Sequence, residues 1–191
     1  MRGIAVIIVL LMGEISLYAK IFNHDAMASD SLTQLTWQDE PYSDAEEEAY
    51  LTGNTTQKVG TWEYANGYCA NLSLGGYHDW RLPSVYELLT LSDDTKPAAP
   101  YVVEGINHLS SGSYWSTTAK DSQSVWIANP QVGYLENDPK TLIFYTRCVR
   151  GKSLTIPTLM VLKKEGKLFF DLQKIDTLRR MGIVRNSMSI Q

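Results

Sequence analysis

The chain has 191 residues, room for one domain of ordinary size plus extensions, and 44% hydrophobic content with 5 Trp and 11 Tyr excludes a disordered polymer. Its net charge of −4 is unevenly spread: residues 25–104 carry 14 acidic and 3 basic side chains, residues 105–191 carry 6 acidic and 12 basic. So acidic a first half makes free nucleic acid a poor partner, and two oppositely charged halves have reason to pack together.

In chain order, Met1-Arg2 precedes an apolar run of nine residues, Ile4 to Met12, and a mixed segment ending Leu17-Tyr18-Ala19. One basic residue, a short hydrophobic stretch and a small residue at the cut give residues 1–19 the layout of a secretory signal. Nine apolar residues are too few to span a bilayer. The expected location is therefore the periplasm, the cell surface or the medium, with no membrane span after cleavage. Glu14 and Leu17 weaken the cleavage region and leave a retained anchor open.

Residues 20–34 are mixed and polar and read as a lead-in. Leu35-Thr36-Trp37-Gln38 alternates apolar and polar residues, a first strand. Ser43 with Glu46 makes a capping box that opens a short acidic helix through Leu51. Thr52 to Gly60 is turn-rich, and Thr61 then caps a helix whose inner face is Trp62, Ala65, Cys69 and Leu72. Gly75-Gly76 is expected to end that helix, because glycine reaches left-handed dihedrals freely. Asp79-Trp80-Arg81-Leu82 runs extended, with Trp80 and Leu82 on one face and Asp79 and Arg81 on the other. Pro83 stops it, and Ser84 with Glu87 caps the next helix over Val85, Leu88 and Leu89.

Beyond Leu91, residues 92–100 hold Asp93-Asp94, Pro97 and Pro100 and read as an exposed loop. Tyr114-Trp115-Ser116-Thr117 and Val125-Trp126-Ile127-Ala128 read as strands joined by a polar turn. Leu142-Ile143-Phe144-Tyr145 continues into Arg147-Cys148-Val149-Arg150 as one last central strand. Two main helices followed by short strands indicate an α+β domain with a twisted, mainly antiparallel sheet. The extension 152–191 is basic, with 8 basic and 3 acidic side chains. It reads either as a hairpin about Lys163-Lys164-Glu165-Gly166-Lys167 or as an amphipathic helix on Leu168, Leu172, Ile175 and Leu178.

The helix Trp62-x-x-Ala65-x-x-Tyr68-Cys69, the run Leu72 to Pro83 and Glu87-Leu88 resemble the Lcl C-terminal domain family. That family takes its name from a bacterial collagen-like adhesin. Trp37, Trp115 and Arg147-Cys148-Val149-Arg150-Gly151 match it too, so the resemblance covers residues 35–151 in order. It implies structural roles for Trp37, Trp62, Gly75, Gly76, Asp79, Trp80, Arg81, Pro83, Glu87, Trp115, Arg147 and Arg150. The Arg-Leu-Pro-Ser turn and the closing Arg-Cys-Val-Arg are also similar to sulfatase-modifying enzymes, which implies a C-type-lectin-like fold. Their copper-binding cysteine pair has no counterpart here, so that activity does not carry over.

Cys69 and Cys148 are the two cysteines of the chain, both on motif positions; in an exported protein an even count favours a disulfide. A metal or other cofactor is not expected, since two cysteines and the scattered His24, His78 and His108 lack ligand spacing. His78 and Asp79 are sequence neighbours that point to opposite faces, not a catalytic dyad. Asp93, Asp94, Asp121 and Asp138 lie in loops with no paired spacing for glycosidase work. Trp80 is expected in the core and Trp126 is left open between core and sugar platform.

The expected function is a non-catalytic binding or adhesion domain; an envelope hydrolase, a modifying enzyme or a structural module are the alternatives. The adhesin resemblance implies an anionic glycan or an envelope protein as partner. Lys163, Lys164, Lys167, Arg179 and Arg180 are the candidate basic contacts.

Overall fold

The computed structural model describes residues 21–93 and 95–155. The expected signal segment, Asp94 and the basic residues from Lys163 to Arg180 lie outside the described residues. Among those described, the chain forms three helices and two mostly antiparallel sheets. The first sheet has the order β1 (Ile21–His24), β2 (Met27–Asp30), β3 (Thr36–Gln38), β9 (Val149–Arg150). The second has the order β4 (Val59–Gly60), β8 (Phe144–Tyr145), β5 (Tyr114–Ala119), β6 (Ser124–Asn129), β7 (Tyr134–Pro139). Among the strand pairings of the described residues, β5–β8 is the parallel one.

Three capping signals are realised. Helix α1 (Asp44–Thr52) starts on the reciprocal Ser43–Glu46 box and stops at Gly53, whose φ of 72° is left-handed. Helix α2 (Trp62–Asn71) is capped by Thr61. Helix α3 (Val85–Leu89) starts on the Ser84–Glu87 box. In each case a side-chain oxygen takes up an N–H that the first turn leaves unbonded.

Several features differ from the expectation, among them a strand at β7 that holds Asp138, expected in a loop. There are two sheets where one was expected, while the short acidic helix expected after Ser43 is present as α1. Residues 21–30, read as a lead-in, form a hairpin that pairs onto β3. Helix α2 ends before the double glycine, at the Leu72 cap. Gly75 and Gly76, with φ of 62° and 77°, instead fill the centre of a tight turn closed by Leu74 and Tyr77. Two successive positive φ values are those of a type I′ turn, which glycine enters most readily because it has no Cβ.

The last difference matters most. The expected single strand at 142–150 is cut in two, β8 in the second sheet and β9 in the first. Thr146, Arg147 and Cys148 carry the chain between the sheets and are all essentially buried. Alternation of side chains continues through such a crossing, so periodicity alone cannot see it.

In the second sheet, β6 and the first half of β5 are buried on both faces, whereas the edge strand β7 is largely exposed. Tyr114, Trp126 and Ala128 face a core shared with the first sheet and α3, while Trp115, Val125 and Ile127 face α2 with Trp80, Leu82 and the cysteines. A strand covered on both sides reads as continuously apolar. This places Trp126, at 1% exposure, in the core and removes it as a sugar platform. Trp80 is likewise core, 3% exposed, its indole N–H donating to the Leu74 carbonyl at 3.3 Å. Trp80→Ala is expected to destabilise the fold by about 3–5 kcal/mol, read as a lower midpoint in urea; an unchanged midpoint would deny Trp80 its core role.

Candidate functional site

The crossing segment is held from two sides. Cys148 is bonded to Cys69 on the inner face of α2, closing a loop with a sequence separation of 79. In the entropic account, closing a loop of that length stabilises the fold by roughly 4–5 kcal/mol. Arg147, 1% exposed, donates to Asp39 Oδ1 and to the His108 carbonyl. Asp39 also accepts the N–H groups of Asn107 and His108, at 3.1 Å each. A buried charge persists only when so paired. Tyr42 donates to the Thr146 carbonyl at 2.8 Å, and burial pushes its phenol well above the ordinary tyrosine range. Burial likewise raises Tyr114, to about 12.

A second group of charges fastens the extended motif. Arg81 grips Glu87 through two parallel bonds of 2.7 and 2.8 Å, and its backbone pairs with Val149. Burial alone raises the Glu87 carboxyl, but the Arg81 guanidinium and the N–H groups of Ser84 and Leu154 outweigh it and hold the group below the ordinary glutamate range. Asp79 accepts from Arg150 at 2.7 and 3.2 Å, which lowers its carboxyl, and Arg150 lies 3.6 Å over the Tyr77 ring.

Two of the concave surfaces lined by described residues are open to solvent. Along α2, Tyr64, Gly67, Tyr68, Asn71, Leu72 and Ser73 line a shallow groove of about 460 Å³. Tyr68 is fixed there by a 2.9 Å bond from Gln38, and burial raises its phenol. The other surface is a smaller hollow of about 260 Å³ on the outer side of the first sheet, lined by Phe22, Ser29, Thr36 and the turn between β2 and β3. Here His24 Nε2, Ser29 Oγ and Thr36 Oγ1 form a chain of bonds of 3.1 and 3.0 Å. No group of three or more His, Cys, Asp or Glu able to hold a metal ion occurs among the described residues. None of the described helices is long and apolar enough to cross a membrane.

The sequence profile described as the Lcl C-terminal domain matches residues 26–150. The chain belongs to the Lcl C-terminal domain family. No curated protein matches it significantly.

The Lcl profile starts inside the hairpin, so β2 belongs to the matched region. Of the motif residues, Trp37, Trp80, Trp115 and Arg147 are interior. Trp115 donates to the Gly60 carbonyl at 2.7 Å; Trp62, half-buried, donates to Ser116 at 2.8 Å. Pro83 is buried and its carbonyl accepts from Thr117. Asp79, Arg81, Glu87 and Arg150 form the two ion pairs. Asp79 and Arg81 are thus tied to the side chains of Arg150 and Glu87, and Arg81 also donates to the Gly151 carbonyl at 3.2 Å. His78 is exposed. Phe22, His24, Ser29 and Thr36 were not singled out as a set. The alternation of Phe22 and His24 was their one signal, and the pairing that joins them to β3 is tertiary.

Two measurements check this arrangement. Mass spectrometry without reductant on the full chain, produced in an oxidising compartment, should find no alkylatable thiol at Cys69 or Cys148. The second concerns acid. A carboxyl whose folded pKa is depressed stabilises fully above its unfolded value, about 4.3 for glutamate, and that stabilisation fades as pH falls through the folded value. Glu87→Gln should therefore lower stability at neutral pH, with the gap to the parent protein narrowing below about pH 4. A constant gap would exclude the Arg81 pair as its source.

Proposed function

We propose that this Lcl C-terminal domain is an exported, non-catalytic binding domain of a bacterial envelope or surface, used in adhesion. The observation that carries the reading is the fate of the motif charges. Asp39 with Arg147, Asp79 with Arg150 and Glu87 with Arg81 are committed to one another. The motif thus serves as a scaffold, and the open surfaces are furnished by tyrosine, phenylalanine, hydroxyl and amide groups suited to recognition. Membership in a family named after an adhesin supports the same reading.

An anionic glycan as ligand draws its support from another part of the chain. Residues 21–155 carry 8 basic and 17 acidic side chains, a poor surface for a polyanion. Contacts to such a ligand fall instead to Lys163, Lys164, Lys167, Arg179 and Arg180. Replacing these five by glutamine in the full chain should move its elution from heparin to distinctly lower salt, through lost counterion release. Equal retention would remove the extension from the functional account.

One observation favours a second, hydrolytic reading: the bond between His24 Nε2 and Ser29 Oγ, the contact a base makes with a nucleophile. The same hydroxyl is shared with Thr36 Oγ1, which suits a structural chain equally. Labelling of Ser29 by a fluorophosphonate, abolished in His24→Ala, would support catalysis; an unlabelled protein supports binding.

A further inference from the structure

Phe22 on β1, Ser29 on β2, Thr36 on β3 and Arg150 on β9 are directly opposed, strand to strand. Opposed residues share a face, so the four make one row across the whole first sheet. Their chain neighbours Ala28, Trp37 and Val149 point into the core, and the row therefore points outward. A ring stands at each end. Phe22 is 49% exposed, and Tyr77, over the Arg150 guanidinium, is 41% exposed. Three inter-strand steps of about 4.8 Å separate the ends by roughly 14 Å. The double-glycine turn is what brings Tyr77 there.

Between the rings the surface is polar and two-sided in its hydrogen bonding. The His24–Ser29–Thr36 chain offers hydroxyls that both donate and accept. Arg150 gives two N–H groups to Asp79 and has others to spare; the Asp79 side chain, 58% exposed, keeps lone pairs available. The hollow of about 260 Å³ opens beside Phe22, Ser29 and Thr36.

We infer that this face is a binding site for a neutral oligosaccharide laid across the strands, its sugar rings stacked on Phe22 and Tyr77. A pyranose ring presents an apolar C–H face and a rim of hydroxyls. Aromatic faces match the first; a mixed row of donors and acceptors matches the second. Charge selects against anions here, because Asp79 already neutralises Arg150 and Asp30 borders the hollow. The inference rests on reading the chain as a binding domain and gives that reading a surface and a ligand class, apart from any polyanion contact of the basic extension.

The test is a calorimetric titration of the full mature chain with maltotetraose, cellotetraose and chitotetraose. Heparin is run in parallel, and each carbohydrate is checked afterwards for breakdown. The expected result is that one neutral tetrasaccharide binds with little salt dependence. Its affinity should fall about tenfold in Phe22→Ala and in Tyr77→Ala, fall in Thr36→Val, and hold in Tyr64→Ala on the α2 groove. Both ring positions are exposed, and matching thermal midpoints confirm that the variants fold. Binding unaffected by both ring variants, or lost in Tyr64→Ala, overturns the site. Binding of heparin alone overturns it too while leaving the binding-domain reading intact. Breakdown of a tetrasaccharide overturns both readings.

Discussion

The passage of the chain through Thr146, Arg147 and Cys148 is the constraint on which the other parts rest. Here the chain leaves the second sheet and enters the first, so the relative placement of the two sheets is decided over three residues. Each is fastened to a different element. The Thr146 N–H bonds the Lys58 carbonyl at 2.7 Å, Arg147 bonds Asp39 just after β3, and Cys148 is bonded to α2. Without Asp39, Arg147 would leave a guanidinium uncompensated in the interior, which costs several kcal/mol. The disulfide acts differently, restricting the unfolded chain.

From that crossing outward the order propagates through β9. Val149 pairs with Trp37 in β3 and with Arg81 in the extended motif, so the motif becomes an added rung at the sheet edge. Arg81 then orients Glu87, which caps α3, and α3 packs its Val85, Leu88 and Leu89 into the main core. On the opposite face Arg150 fixes Asp79 and carries Tyr77. One dipeptide thus serves the interior through Val149 and the solvent face through Arg150, the period-two geometry of a strand used on both sides.

This arrangement explains why a charged motif yields so few free charges. Ion pairs at half-buried positions need exact partners; two of the pairs join elements distant in sequence, 39 with 147 and 79 with 150, and the third, 81 with 87, ties the extended motif to the helix that follows it. Their service is to specify one arrangement of loops, a role that buried or half-buried pairs perform better than they add net stability. Surfaces free of that duty are where recognition has room: the tyrosine groove of α2 and the hydroxyl row of the first sheet.

Local chemistry was legible in the sequence wherever a short-range rule applied. The boxes Ser43–Glu46 and Ser84–Glu87, the Thr61 cap and the burial of Trp80 and Leu82 against exposed Asp79 follow from residues a few places apart. The pairing of Cys69 with Cys148 was legible too, through an even cysteine count and the expectation of export. Tertiary structure alone decided what depends on pairing over long separations. Ile21–His24 is too polar to declare itself a strand until β2 and β3 lie beside it, and the crossing at Arg147 leaves alternation unbroken. The double glycine suited a helix end as well as a type I′ turn; the choice fell to the bridge between Leu74 and Tyr77 and to the Met27 side chain packed against Gly75. The row Phe22, Ser29, Thr36, Arg150 exists only because four strands meet in register, and register is a property of the sheet, not of any one strand.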